Sequence, residues 1–79
     1  MDANIAAILA EQLTVHGLSV TNTYETTISV SNPLNRGVIE AVDHRDGRYV
    51  TAWGYELGET GDEEGTAERL AYLLGLPRR

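Results

Sequence analysis

The chain of 79 residues contains no cysteine, no lysine and no phenylalanine. Without cysteine it can form neither disulfides nor thiolate metal sites, so packing or association must stabilise the fold. No apolar run approaches the roughly 20 residues that a membrane-spanning helix needs. The N-terminus shows neither the basic nor the apolar segment of a secretory signal peptide. The length predicts one domain over residues 1–79, and the absences predict a location in the cytoplasm.

The basic residues are few, and the formal net charge is −6. Nucleic-acid binding normally needs clusters of Lys and Arg that contact phosphates. An acidic surface also disfavours contact with anionic membranes. The composition therefore predicts no direct nucleic-acid or membrane binding, and it leaves a protein partner or a second copy of the chain, as in a homodimer.

The two ends of the chain carry helical patterns. Apolar residues recur at helical spacing near the N-terminus and predict a helix from about Ala3 to His16. Gly17 is placed to end this helix in a left-handed conformation. A second helix is predicted over Asp62 to Leu74, with Thr60 and Glu63 as a capping box.

The middle of the chain carries strand patterns. Polar and apolar residues alternate from Leu18 to Ser31, which predicts a strand over about Tyr24 to Ser31. Two further strands are predicted, one from Gly37 to His44 and one from Tyr49 to Glu56, with a connection over residues 58–61 before the helix. The predicted fold is α+β, a small α-β-β-β-α domain whose three-stranded antiparallel meander packs against two helices.

The Asp46-Gly47 pair favours a two-residue hairpin. The resulting register would pair the following residues: His44 with Tyr49, Val42 with Thr51, Glu40 with Trp53, and Val38 with Tyr55. The opposite face would hold Ile39, Ala41, Val50 and Ala52. A bulged three-residue loop would shift the pairing by one residue, but both registers leave apolar groups on both faces.

A second apolar face needs a cover, and Trp and Tyr are enriched where proteins bind one another. The candidate anchors for a partner or a second copy are Val42, Tyr49, Trp53 and Tyr55. The alternatives are that helices cover both faces, or that Trp53 and Tyr55 wrap around a sheet edge.

An acidic run without basic residues leads into the second predicted helix; its members are Glu56, Glu59, Asp62, Glu63, Glu64 and Glu68. These carboxylates suit the positive end of the helix dipole and a solvated loop. They could also imitate DNA phosphates or bind a basic protein. The spacing of an EF-hand calcium loop is absent.

The predicted element order is that of the double-stranded RNA-binding domain. That family brings a lysine-rich helix start onto phosphates, whereas this chain has Asp62-Glu63-Glu64-Gly65 there, which argues against RNA binding. In size and charge the chain is similar to small acidic phage-encoded inhibitors, including some anti-CRISPR proteins. That likeness implies an inhibitor that blocks a nucleic-acid-binding protein.

Catalytic patterns are sparse. Asp43, His44 and Asp46 crowd one hairpin end, but adjacent strand residues point to opposite faces, so we interpret them as a surface turn without a metal. His16 suits a helix C-terminus. No serine or threonine is placed beside a base in a recognisable motif, and no cofactor is expected. We therefore predict a non-catalytic protein-binding or regulatory module, with an acidic inhibitor as the first alternative and a small enzyme or ligand-binding domain as the second.

Overall fold

A computed structural model describes residues 3–23 and 27–76. Its elements are α1 (Ala3–Val15), β1 (Ser19–Thr23), β2 (Thr27–Asn32), β3 (Asn35–Arg45), β4 (Arg48–Thr51), β5 (Glu56–Glu59) and α2 (Glu63–Leu73). The strands form one antiparallel sheet in the order β1-β2-β3-β4-β5, so each strand pairs with its neighbour in sequence. The α+β class and the antiparallel sheet are confirmed. The predicted three-stranded meander, and with it the element order of an RNA-binding domain, is wrong because the sheet has five strands.

The additional strands come from two segments that were each expected to hold one strand. The pattern from Leu18 to Ser31 divides into β1 and β2, which pair with each other. Tyr24, the predicted first residue of that strand, lies outside the described residues. The predicted strand from Tyr49 to Glu56 ends early at Thr51, and residues 58 and 59 belong to β5 rather than to a loop.

Both helices end at glycines in the left-handed region. Gly17 has φ +86°, and the N–H of Leu18 donates to the carbonyl of Leu13 at 2.9 Å. The corresponding bond at the end of α2 runs from the N–H of Leu76 to the carbonyl of Ala71 at 3.0 Å. These are Schellman motifs, which satisfy carbonyls that the helices leave without partners. The predicted glycine stop of α1 is confirmed, although the helix ends at Val15 rather than His16.

The start of α2 differs from the prediction. The N-cap residue is Asp62, and its side chain makes no capping hydrogen bond. Thr60 Oγ1 instead donates to the carbonyl of Gly47 at 3.0 Å, while Glu63 accepts the N–H of Gly61 at 2.8 Å. The predicted capping box of Thr60 and Glu63 is therefore wrong, because the Thr60 hydroxyl is used to join the β3–β4 turn to the segment before α2.

The turn between β3 and β4 has the predicted form. Asp46 and Gly47 have φ of +51° and +75°, as a two-residue hairpin turn requires. Val42 pairs with Thr51 and His44 with Tyr49, which confirms the predicted register. The further strand pairs of Trp53 and Tyr55 are wrong, because β4 ends at Thr51 and the chain turns away from β3 after Ala52, whose N–H donates to the carbonyl of Ala41 at 3.1 Å.

The core lies on the face of the sheet that both helices cover. Its members are Leu9, Leu13, Leu18, Ile28, Val30, Val42, Tyr49, Leu57, Ala67, Leu70 and Leu74. On the opposite face, Thr27 pairs with Asp43 and Ser29 with Ala41, so polar side chains interrupt the apolar ones. Ile39 lies on this face and is 60% exposed. The expected second apolar face is therefore a mixed surface, and both helices described within residues 3–23 and 27–76 pack on the other face. No helix within residues 3–23 and 27–76 has the length and apolar character to cross a membrane.

Candidate functional site

Trp53 and Tyr55 lie in the loop that joins β4 to β5. The loop closes on Thr51, whose N–H donates to the carbonyl of Tyr55 and whose Oγ1 accepts the N–H of Tyr55, both at 2.9 Å. Gly54, with φ +92°, donates its N–H to the carbonyl of Thr51 at 3.0 Å. The Thr51 side chain is buried, so the loop is anchored in the folded sheet. Three hydrogen bonds to Thr51 thus fix the backbone of the loop from which the two aromatic side chains extend.

The two rings form an exposed pair. Trp53 is 62% exposed and Tyr55 is 44% exposed, and their ring centroids are 5.3 Å apart. The Trp53 indole N–H donates to Glu40 Oε2 at 2.8 Å. Aromatic pairs at this spacing attract one another beyond the effect of buried area. Trp53 is therefore exposed to solvent and also held in one orientation by its neighbours.

Tyr49 and Val42 occupy a different environment. Neither is exposed, and both belong to the core beneath the helices. The Tyr49 hydroxyl reaches the start of α2 and donates to Glu63 Oε2 at 2.7 Å. Of the four predicted apolar anchors, only Trp53 and Tyr55 lie on the surface. The side chains of Val42 and Tyr49 are fully buried in the core, so a partner cannot contact them in the folded chain.

The Tyr49–Glu63 contact shifts the pKa of both groups. Burial raises the pKa of Tyr49, and the hydrogen bond to Glu63 and its negative charge raise it further. Burial also raises the pKa of Glu63, but the hydrogen bonds from Tyr49 and from the backbone of Gly61 and Glu63 outweigh burial, and the net pKa is lowered. The pair therefore binds most strongly with the phenol protonated and the carboxylate ionised.

This pair predicts stability losses at both ends of the pH scale. The folded pKa of Glu63 lies below its ordinary value of 4.5, so its contribution is present above pH 4.5 and is lost as the pH falls. The pKa of Tyr49 is raised from 10.0, so its contribution is present below pH 10.0 and is lost as the pH rises. Urea unfolding across pH 3 to 11 (about the range in which proteins titrate carboxylates and phenols) measures both losses. In the Tyr49→Phe variant, the free energy of unfolding should fall less steeply at low pH and at high pH than in the wild type. Tyr72→Phe, at an exposed site, should leave both losses unchanged. Equal pH profiles for the wild type and Tyr49→Phe would contradict the role of the Tyr49–Glu63 pair.

The predicted acidic run is largely engaged in internal contacts. Glu56 Oε1 lies 2.9 Å from Arg48 Nη1, and Asp62 Oδ2 lies 3.2 Å from Arg69 Nη1. Glu63 accepts the two hydrogen bonds described above. Glu59 and Glu64 are exposed on the surface, and Glu68, which is also exposed, contacts a neighbour. The structure thus spreads the run over β5, the connecting loop and α2 rather than presenting it as one row.

The candidate chemical groups at the hairpin end also have structural partners. Asp43 bonds to the Thr27 hydroxyl and lies 3.0 Å from Arg45 Nη2, while His44 Nε2 is 2.7 Å from Thr60 Oγ1. Within residues 3–23 and 27–76, no three His, Cys, Asp or Glu side chains are grouped as a metal site would require. His16 Nδ1 is 2.9 Å from the carbonyl of Gln12, in the last turn of α1.

One open groove of about 850 Å³ runs along α2. Tyr55 borders the groove on the sheet side and Tyr72, which is 72% exposed, borders it on the helix. Glu64, Glu68 and Arg69 also line the groove, so it carries charges of both signs. Glu40 and His44 do not line this groove.

Sequence reasoning missed Thr51, which fixes the aromatic loop, and predicted Glu40 beside Trp53 through a strand pair that does not form. A β-prone segment that contains Gly54 carries a weak signal for such a turn, because glycine inside a strand often marks an irregularity. No family model, curated protein or solved structure gives a significant match to the chain.

Proposed function

We propose that this chain is a non-catalytic protein-binding module whose contact point is the exposed Trp53–Tyr55 pair. The observation that carries the proposal is that the pair is exposed and yet fixed by Thr51 and Glu40. Tryptophan and tyrosine recur among the few residues that dominate binding energy at protein interfaces. Side chains that are already ordered lose little further entropy on binding. The pair therefore has the composition and the rigidity of an interface anchor.

The surroundings of the pair support the same proposal. Glu40, which holds the Trp53 indole, belongs to β3, and Tyr55 is one of the residues that line the groove along α2. A standard interface buries about 800 Å² on each partner. The accessible surface of the chain measures 4918 Å². An interface of about 800 Å² is larger than two side chains can supply, so it would include the aromatic pair and one of these neighbouring surfaces.

A photo-crosslinking residue placed at Ala52 tests the proposal directly. Ala52 is the exposed neighbour of Trp53, and the full chain carrying the probe would be irradiated in an extract of its source cells. We expect an adduct with one specific protein, and we expect Trp53→Ala to reduce its yield. The same probe at Glu11, an exposed position of α1, is the matched control. Equal adducts from both positions, or an adduct that Trp53→Ala leaves unchanged, would contradict the proposal.

Self-association through the same surface is the second form of the proposal. Light scattering over a concentration series compares the molar mass in solution with the chain mass of 8.6 kDa. If the chain is a monomer at every concentration, self-association is excluded and the aromatic pair would have to bind a different protein. A dimer that dissociates in the Trp53→Ala variant assigns it to a second copy, and a dimer that persists in that variant would place self-association elsewhere.

An acidic inhibitor is the second candidate function. The whole chain has a net charge of −6, and each of Arg45, Arg48 and Arg69 lies within 3.2 Å of a carboxylate, which offsets its charge. Glu59 and Glu64 can be neutralised as Glu59→Gln and Glu64→Gln without disturbing those pairs. Inhibitor activity predicts that this double variant loses the crosslinked partner at moderate salt, while a partner held by the aromatic pair is retained.

A further inference from the structure

The large apolar side chains that remain exposed are concentrated at the groove along α2. Eight such side chains occur within residues 3–23 and 27–76, and four of them line the groove: Val15, Tyr55, Tyr72 and Leu73. Trp53, whose ring contacts that of Tyr55, adds a fifth. Exposed apolar groups that collect on one surface mark a binding site, whereas scattered ones do not. We call the residues that line the groove, together with Trp53, the groove surface.

The groove surface changes in character along α2. Glu64 and Glu68 line it in the first half of the helix, whereas Tyr72, Leu73 and Leu76 line it at the end of the helix. A helix rises 1.5 Å per residue, so the eight steps from Glu64 to Tyr72 separate the two ends by about 12 Å. An occupant that follows α2 would therefore meet carboxylates at one end and apolar side chains at the other.

The local charge at the carboxylate end is negative. Arg69 also lines the groove, but its guanidinium donates to Asp62 at 3.2 Å and to the carbonyl of Leu57 at 2.7 Å, so its charge is already offset. The positive end of the helix dipole amounts to about half an elementary charge. Glu64 and Glu68 together outweigh it, so a cationic group on the occupant would be attracted to this end.

The backbone at the apolar end is already hydrogen-bonded. The N–H and the carbonyl of Tyr55 are both bonded to Thr51. The carbonyl of Ala71 accepts the N–H of Leu76 at 3.0 Å. An extended segment would find no backbone partner at these residues, and its own buried N–H and carbonyl groups would lack hydrogen bonds. A helix satisfies its own backbone, so this end of the groove favours a helical occupant.

We propose that the partner docks on the groove surface with an amphipathic helix that carries a basic residue about two turns away from its main apolar residue. The inference rests on the proposed function, and it specifies the chemistry of the partner. The basic side chain would reach Glu64, and the apolar side chains would contact Tyr72 and Leu73. The aromatic pair would contact the flank of the same helix through Tyr55. Apolar anchors one and two turns apart are the usual pattern when a helix binds in a groove.

Selection from a displayed library of random linear peptides tests the occupant. Peptides of about 16 residues are long enough to form a helix on binding. We expect the enriched sequences to contain Lys or Arg about eight residues from a large apolar residue, in either direction along the peptide. Failure to enrich any peptide, or enrichment of acidic sequences, would overturn the inference.

A proline scan of one selected synthetic peptide tests the helical conformation. Proline at a central position that faces away from the protein should abolish binding, because it breaks the helix without removing a contact. Alanine at the same position should bind as the parent peptide does. Binding that tolerates the central proline would reject a helical occupant.

Matched variants of the full chain test the location. Tyr72→Ala should weaken binding of the selected peptide at least about tenfold, whereas Ile8→Ala, at an exposed position of α1 outside the groove, should change it less than about twofold. Glu64→Gln should weaken binding about threefold at low salt and less at high salt, as expected for an exposed charge pair. Glu11→Gln makes the same charge change on α1 and should have no effect. Equal effects within either pair of variants would overturn the placement on the groove surface.

The same variants separate this inference from the proposed function. Peptide binding that is lost in Trp53→Ala but unchanged in Tyr72→Ala would retain the aromatic anchor and reject the helix in the groove. Binding that is lost in Tyr72→Ala but unchanged in Trp53→Ala would support the helix in the groove and reject the aromatic anchor. A dimer of the chain that dissociates in Tyr72→Ala would assign the groove surface to a second copy and overturn the inference.

Discussion

Replacing Tyr49 with alanine is expected to remove a large part of the stability of the folded chain. Truncating a fully buried aromatic residue typically costs about 3–5 kcal/mol. A chain of 79 residues has a free energy of unfolding of roughly 4–12 kcal/mol at typical values per residue. Tyr49 is the largest fully buried side chain described, and its hydroxyl also joins β4 to the start of α2. Urea unfolding followed by circular dichroism measures the loss.

Two variants separate the ring from the hydroxyl. Tyr49→Phe keeps the ring and removes the hydrogen bond to Glu63, so the expected cost is about 1–2 kcal/mol. Tyr72→Ala removes an exposed tyrosine and should cost less than about 0.5 kcal/mol. If Tyr49→Ala unfolds at the same urea concentration as Tyr72→Ala, the placement of Tyr49 in the core is wrong.

Replacing Trp53 with alanine is expected to weaken partner binding by about 2 kcal/mol or more, which is about 30-fold in Kd. Stability should change little, because the side chain is mostly exposed and makes one hydrogen bond, to Glu40. The affinity of wild type and variant for the crosslinked partner, measured by calorimetry, gives the difference. Normal binding combined with normal folding would remove Trp53 from the interface.

Glu40→Ala tests the orientation of the ring without removing it. Loss of the carboxylate leaves the indole N–H without its partner, so an intermediate loss of affinity is expected from the entropy of reordering the side chain. Leu34→Ala, at an exposed site in the β2–β3 turn, is the matched control and should bind as the wild type does.

The features that local chemistry determines could be predicted from the sequence. Gly17 ends α1 because a left-handed residue is needed there, and Asp46-Gly47 sets the register of β3 with β4 because both residues tolerate positive φ. These effects depend on a few consecutive residues. They do not depend on how the distant parts of the chain pack.

The features that were missed depend on interruptions inside β-prone segments. Residues 49–56 include Val50, Trp53 and Tyr55, and their propensity favours one continuous strand. The interruption is decided by Thr51, whose hydroxyl competes for the N–H of Tyr55 and closes a loop. The length of the segment, eight residues, did not indicate an interruption, because strands of eight residues are common.

The candidate site was predicted in part for the same reason. Trp53 and Tyr55 are aromatic residues in a strand-like context, which was sufficient to name them, and so were Tyr49 and Val42. Which pair is exposed depends on the point at which β4 ends. That point cannot be deduced from alternation alone, because the pattern does not contain the length of the strand.

Quenching of tryptophan fluorescence by acrylamide tests the central claim most directly. Trp53 is the only tryptophan in the chain, so a chain labelled with 5-hydroxytryptophan, which is excited at longer wavelength than the partner's tryptophans, reports on that side chain alone. We predict strong quenching in the isolated protein and a marked decrease in quenching when the crosslinked partner is bound. Quenching that is equally strong in the complex would contradict the claim that Trp53 anchors the interface.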